Sequence, residues 1–380
     1  MTSDDVVYLD HNATTPMAPE VLEAMLPYLT HAFGNPSSTH ALGRQAADAV
    51  RAARSQVAAL IGSRPDEIIF TSGGTEANNL AIRGAAAAAT PDRRRIVTSA
   101  VEHPATVQPL HLLGGQGWAV TVVPVTAAGY LDLAALEASM GADVALATVM
   151  LAQNETGALQ PVAAVATAAH RAGALAHTDA AQAVGKVPVD VDELGVDLLS
   201  IAGHKCYAPK GVGALYVRRG TPVAPILVGA GQERGVRPGT ENVAGIVGLG
   251  AACAILAGDL DAEAERLGGL REDLWARLSA AVPGMVRLTP PDDVVPNTLL
   301  VSFPRVAGWH LLDAAPTVAA ATGSACHSGE HSASAAVVAM GVDPQAASGV
   351  VRLSVGRPTS ARDVERAADA LISAYSAVSH

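Results

Sequence analysis

Between about residue 65 and residue 220 the chain repeats one pattern, a short apolar run followed by an amphipathic helical stretch, and few folds can accommodate it. The runs are EIIFT (67–71), RIVTS (95–99), AVTVV (119–123), DVALATVML (143–151), ALAHTD (174–179), DLLSIAG (197–203) and GALYV (213–217). Several are apolar throughout instead of alternating, as strands must be when helices cover both faces of their sheet. Strand and helix in alternation predict an α/β architecture built on a mostly parallel central sheet.

The rhythm stops at GAGQERGVRPGTE (229–241), and an Ala/Leu-rich helical region runs on to about residue 282. Beyond it come a strand (TLLVSF, 298–303), a helix near 309–315, an apolar run (TVAAA, 317–321), a strand (VVRLS, 350–354) and a terminal helix from about 361. This reads as a smaller α+β domain. The expected division is a large domain over 14–252 and a small one formed by 1–13 with 253–380, which suits a 380-residue chain when single domains hold roughly 100 to 200 residues. Hydrophobic residues make up 49% but aromatics only 3%, so Ala, Val and Leu must build both cores.

Charge and cysteine usage narrow the function. A net charge of −11 argues against nucleic acid as a direct ligand, because backbone binding needs clustered Lys and Arg. The one basic run, Arg93, Arg94 and Arg95, reads as a solvated loop. The N-terminus MTSDDVVYLD is acidic where a signal peptide is basic, and no run approaches the ~18 apolar residues of a membrane span, so a cytoplasmic protein is expected. Cys206, Cys253 and Cys326 are odd in number and widely spaced, which fits neither a disulfide framework nor a metal site and leaves room for a reactive thiol.

Three segments carry chemistry on their own residues. FTSGGTEANN (70–79) sets Ser, Gly, Gly and Thr between a strand and a helix, where free amides and the helix dipole favour an anion such as a phosphate, although a plain turn with Thr75 as N-cap has the same composition. In SIAGHKCYAPKGVGALYV (200–217), Lys205 follows His204 at the end of an apolar strand, in a chain whose other lysines are only Lys186 and Lys210. Desolvation there would lower its pKa and make it a usable amine nucleophile, although an ordinary surface lysine fits the same residues. HTDAAQAVGK (177–186) puts Asp179 at a strand end, suited either to a cationic ring nitrogen or to capping the next turn.

Strand-end Asp followed by Ser-x-x-x-His-Lys resembles the fold-type I pyridoxal-phosphate enzymes, in particular the cysteine desulfurases. YLDHNATTP (8–16), GNPSSTHALG (34–43), FTSGGTEANN, VEHPA (101–105), QNETG (153–157), HTDAAQ, GHKCY (203–207), GQERGVRPGTEN (231–242), GSACHSG (323–329) and VRLSVGR (351–357) look like that family's blocks in that family's order. The resemblance implies pyridoxal 5'-phosphate as cofactor, with Lys205 as its covalent anchor, Asp179 on the pyridine nitrogen and His103 stacked on the ring. It implies further that Gln182 and Asn154 bond the ring oxygen and that Gly74, Thr75, Ser200 and His204 hold the phosphate. Thr240 is expected to complete that cup from the neighbouring subunit of a homodimer.

On the same resemblance Cys326, in the small polar stretch TGSACHSGEHSAS, is the nucleophile that takes sulfur from L-cysteine as a persulfide and leaves alanine. Arg352 would fork onto the substrate carboxylate, with Asn35 as a further contact, unless an internal ion pair claims the guanidinium. The persulfide implies an acceptor protein, a scaffold for iron–sulfur clusters or a modification enzyme. Two other readings stand beside this one. His327 directly after Cys326 also fits the selenocysteine lyases, and a non-catalytic scaffold of the same fold would have lost Lys205 or Asp179, both of which are present.

Overall fold

A computed structural model describes residues 6–322, 326–327, 330–331 and 334–379. Its strands are β1 (Val7–Tyr8), β2 (Ile68–Thr71), β3 (Arg95–Ser99), β4 (Ala119–Val123), β5 (Val144–Thr148), β6 (Leu175–Asp179) and β7 (Leu198–Ala202). They continue with β8 (Gly213–Val217), β9 (Val286–Arg287), β10 (Thr298–Ser302), β11 (Val318–Ala319), β12 (Cys326–His327), β13 (Glu330–His331) and β14 (Val350–Ser354).

Seven of them form the central sheet in the order β2-β8-β7-β6-β5-β3-β4, with β8 antiparallel to both neighbours and every other pairing parallel. The apolar runs are strands, and β2, β5 and β7 are buried along their whole length. Alternate side chains feed opposite faces, as the pleat requires. Leu198 of β7 enters one core with Leu80 and Ala81 of the Ala-rich helix Gly74–Ala88, while Leu199 and Ile201 enter the other. The edge strand β4 keeps Val122 exposed. The Arg93–Arg95 run is the expected solvated loop only in part, with Arg94 exposed in it. Arg95 opens β3 and pairs with Asp143, and Arg93 donates to the carbonyls of Val144 and Ala172, so these side chains fasten the strand ends.

A 39-residue helix, Val243–Ala281, links the two parts of the chain. Contrary to the expectation that no run is apolar enough, this helix is long and apolar enough to cross a membrane, but half of its apolar stretch is buried inside the protein. Ile246, Leu249, Cys253 and Leu256 belong to the main core, and the helix packs on Pro19–Thr30 and Ala41–Leu60. Its backbone breaks at Asp259 (φ −146°), after which Leu267, Leu274 and Leu278 join a second core with Phe303, Leu353 and Leu371. The two cores therefore part further along the helix than the boundary at residue 252 drawn from the sequence. The second core carries the antiparallel sheet β14-β10-β9 and the parallel pair β1-β11, and Ser360 and Asp363 cap its terminal helix, Ala361–Val378, with a capping box.

Six of the strands in the main sheet, all but β8, run in one direction, and the loops leaving their carboxyl ends gather on one edge. The N-terminal segment crosses that edge. Asn12 donates its backbone N–H to Ser354 Oγ (3.0 Å) and its side-chain amide to Thr298 Oγ1 (2.7 Å), which ties the small sheet to it.

The turn after β6 depends on Gly185, whose φ of +77° is in the left-handed region and whose added Cβ would stand 2.5 Å from Leu256 Cδ1. Gly185→Ala should lower stability by about 2 to 4 kcal/mol, from left-handed strain plus overpacking. Gly211→Ala, with φ of +83° and no atom within 4 Å, should cost only the strain, about 1 to 2 kcal/mol. Denaturant midpoints of the two variants would read the difference.

Candidate active site

The carboxyl edge of the sheet encloses a cavity of about 390 Å³. The turn after β2 supplies Gly74 and Thr75, the loop after β3 His103, the loop after β5 Asn154, the turn after β6 Asp179 and Gln182, and the turn after β7 His204 and Lys205. Arg352 reaches it from β14 and Asn12 from the N-terminal segment. Nine residues singled out from the sequence thus converge on one space. Among the others, Ser200 is fully buried on β7 with its hydroxyl against His177 Nε2 (3.0 Å) and does not line the cavity. Asn35 and Thr240 are exposed and lie outside the cavity wall in this single chain. Cys326 and His327 form β12 and pair with Glu330–His331, while the side chain of Cys326 lies outside the described residues.

Lys205 ends a tight turn after β7 and is half-buried. Its Nζ donates to the backbone carbonyls of Asn12 and Ala13, the latter at 2.7 Å. Burial, seconded by the Arg352 charge, brings its pKa down to about 8. Asp179 is buried in the same wall and caps the turn that follows it. Its Oδ1 accepts the Ala181 N–H (2.9 Å), closing the turn, and its Oδ2 accepts from the buried Asn78 side chain (2.6 Å). The carboxylate is held in one orientation with an edge on the cavity.

Behind them Gln182 donates from Nε2 to the Asn12 carbonyl (2.9 Å) and accepts at Oε1 from Lys186 Nζ (2.6 Å). Lys186 is in the turn after β6 and buried, and burial brings its pKa down to about 7. His103 caps the helix Pro104–Gly114 by accepting the Ala105 N–H at Nδ1 (3.1 Å), which leaves Nε2 as the protonated nitrogen of the neutral ring. Burial, ahead of the opposing pull of Asp179, sets its pKa below the usual histidine value. His204 donates to or accepts from Thr14 Oγ1 (3.2 Å), and burial beside Lys205 and Lys210 lowers it to about 4.

At the β2 turn Gly73 adopts φ 148° and ψ −178°, a conformation open to glycine alone, and serves as N-cap in place of Thr75. The next helix thereby points its free amides at a second space of about 390 Å³ that His204 and Lys210 also face. Glu76 of that first turn accepts the Ser72 N–H (2.7 Å) and is paired with Arg237 (2.8 Å).

Arg352, buried, pairs with Asp10 (2.7 Å) and donates to the Asn154 carbonyl (3.0 Å), while its Nε has no partner. The internal ion pair and a place in the cavity wall occur together. Sequence reasoning passed over Asn12, Asn78, Asp10 and Glu102. The last is buried between Ser99 Oγ and the Met150 N–H, and burial raises its pKa to about 8. All four lie inside segments singled out in the sequence, but a polar residue whose partner is distant in sequence gives no periodic signal.

The sequence profile of the aminotransferase class-V family matches residues 7–367. A protein named "Cysteine desulfurase IscS" from Dictyoglomus turgidum is 43% identical over 367 residues, 96% of this chain and 93% of that one. A "Cysteine desulfurase" from Cereibacter sphaeroides is 48% identical over 370 residues, covering 96% and 94%. The chain belongs to the cysteine desulfurases of the class-V aminotransferase family. A solved structure described as a "NIFS-LIKE PROTEIN" superposes on this desulfurase with a TM-score of 0.92 at 35% identity, over 98% of this chain and 100% of the other. The desulfurase assignment carries with it the fold-type I architecture expected from the sequence, and an enzyme's use for the cavity.

With no ligand bound, amine-selective acetylation of Lys205 in this desulfurase should rise with pH through a midpoint near 8, because burial favours the neutral amine. Quantitative peptide mapping across pH would show it, and a midpoint close to 10.4, the value of an unperturbed lysine, would mean that the cavity does not desolvate the group.

Proposed function

We propose that the protein is a pyridoxal-phosphate-dependent cysteine desulfurase that converts L-cysteine to L-alanine and carries the sulfur as a persulfide on Cys326. The observation that carries the reading is the juxtaposition of Lys205, Asp179 and the amide-bearing turn at Gly74 and Thr75 around one cavity. The donor set suits that cofactor: a desolvated amine for its carbonyl, a fixed carboxylate for its ring nitrogen, and a helix N-terminus with a glycine-only turn for its phosphate. His204 faces the phosphate side, Gln182 and Asn154 the ring oxygen, and His103 the ring face; Ser200 and, from a second subunit, Thr240 are proposed to complete the cup. Bound there, pyridoxal phosphate would supply an electron-accepting ring beside the amino acid's α-carbon.

The chain's own groups do the remaining work. Arg352, whose Nη atoms bond Asp10 and the Asn154 carbonyl in the ligand-free chain, exchanges one of these contacts for the substrate carboxylate, and Asn35 adds a further contact. With the cofactor held there, the Lys205 amine would move the α-proton, and His103 lines the same space as a second carrier. The Cys326 thiolate takes the sulfur: an S–S bond forms as the substrate C–S bond breaks, and the resulting persulfide passes to the thiol of an acceptor protein. A homodimer and a cytoplasmic acceptor, an iron–sulfur scaffold or a modification enzyme, belong to the same reading.

The deciding experiment gives wild-type protein and Cys326→Ala either cysteine or selenocysteine. Wild type should make alanine from cysteine with a persulfide trapped on Cys326. The Ala variant should lose that turnover by at least about 100-fold and retain selenocysteine elimination, because selenium leaves carbon with less help from a nucleophile. A wild type that consumes selenocysteine and ignores cysteine would turn the reading to a selenocysteine lyase. Separately, Arg352→Ala should raise KM for cysteine by about 10-fold or more, the loss of a charge-assisted contact of about 1.5 to 3 kcal/mol, with a smaller change in kcat. Steady-state kinetics on the cofactor-loaded variant would check it.

A further inference from the structure

Lys186 is the buried charged group that the reaction leaves unused. Its ammonium lies behind the cavity wall with Gln182 Oε1 at 2.6 Å and Asn12 Oδ1 at 3.0 Å, and both partners are neutral amide oxygens. The titratable groups acting on it are Lys205, Arg352 and Cys206, and it acts in turn on the buried His11. None is a carboxylate, and burial holds the Cys206 thiol up at about 11, so nothing nearby offsets the lysine's charge. A buried ammonium without a carboxylate is costly and calls for a reason beyond packing.

The chemistry of the amide supplies one. In its protonated form Lys186 has three donors and no acceptor, so the ammonium admits only the oxygen of Gln182 on its side. The Asn12 carbonyl, which also receives Lys205, admits only the nitrogen on the other. The flip of Gln182 is therefore decided at both ends, and one of its two amide hydrogens goes to Asn12 while the other is left for the cavity that Gln182 lines. A donor whose own oxygen is bonded to a cation is also a stronger donor, since linked hydrogen bonds polarise one another.

We propose that Lys186 is a positioning residue that locks Gln182 as a hydrogen-bond donor toward the cofactor's ring oxygen and strengthens that donor. The inference rests on the cofactor reading above and goes one layer behind it. A stronger donor stabilises negative charge on the ring oxygen and weakens that oxygen's hold on the proton it shares with the Lys205 nitrogen. That proton leaves at lower pH in the wild type than it does without Lys186.

The test is a pH titration of the visible band of the protein loaded with pyridoxal 5'-phosphate. In Lys186→Met the midpoint should rise by about 0.5 pH unit or more, the scale on which a lost hydrogen bond or nearby charge moves a titration. The same substitution made in Gln182→Ala should move the midpoint by less than half as much, because the effect passes through Gln182. Lys186→Gln, which keeps donors but no charge, gives the same reading should the Met variant not fold, and its shift should be intermediate. A melting temperature that falls while the midpoint stays in place would make Lys186 structural and overturn the proposal, as would an equal shift in the Gln182→Ala background. A wild-type protein that develops no visible band with the cofactor would overturn the cofactor reading and this inference with it.

Discussion

Asn12 is the group on which the rest of the site depends. It is buried where the N-terminal segment crosses the carboxyl edge of the main sheet, and every polar atom it has is engaged. Its amide nitrogen bonds Thr298 and the Asn154 carbonyl, its side-chain oxygen takes Lys186 and Asn297, and its backbone carbonyl takes Lys205 and Gln182. One residue thus holds the small sheet, the loop after β5 and the turns after β6 and β7 in register. Such a network is worth forming only when it is complete, because each buried donor or acceptor left over costs about 1 to 3 kcal/mol.

The electrostatics of the cavity follow from what surrounds that hub. Three cations, Lys205, Lys186 and Arg352, share a small desolvated region with two carboxylates on its rim, Asp179 and Asp10. Burial therefore pulls both lysines toward neutrality, which in Lys205 yields a nucleophilic amine at ordinary pH. The anion side is built differently. There a glycine-only turn, a helix N-terminus and Lys210 face one space, and the nearest carboxylate, Glu76, is neutralised by Arg237. Charge is graded along the edge of the sheet without a metal ligand set among the described residues.

Much of this was legible in the chain itself. The alternation of apolar runs with helical stretches determined a mostly parallel sheet, because only strands covered on both faces are apolar throughout, and the observed β2, β3, β4 and β8 fall within a residue of the runs that announced them. Lys205, Asp179 and the Gly74–Thr75 turn were recognisable since each sits at a strand end, where local sequence alone decides what faces the edge. What local sequence misjudged is equally specific. Arg95 looked solvated because its partner Asp143 comes from another strand's lead-in, and the apolar half of Val243–Ala281 was not seen as continuous.

Only the tertiary structure decided which polar residues meet. Asn12 and Lys186 are 174 positions apart, and Arg352 is 342 positions from Asp10, so neither contact leaves a trace in periodicity or turn chemistry. The same holds for Ser200, whose hydroxyl meets His177 from 23 positions away. The sequence by itself determined the strands, the helices and the strand-end positions of the reactive groups, since these follow from nearest-neighbour sterics and the periodic burial of apolar side chains. The partners, protonation states and orientations of those groups were decided by the fold, because desolvation and hydrogen bonding act across space between segments the chain holds far apart.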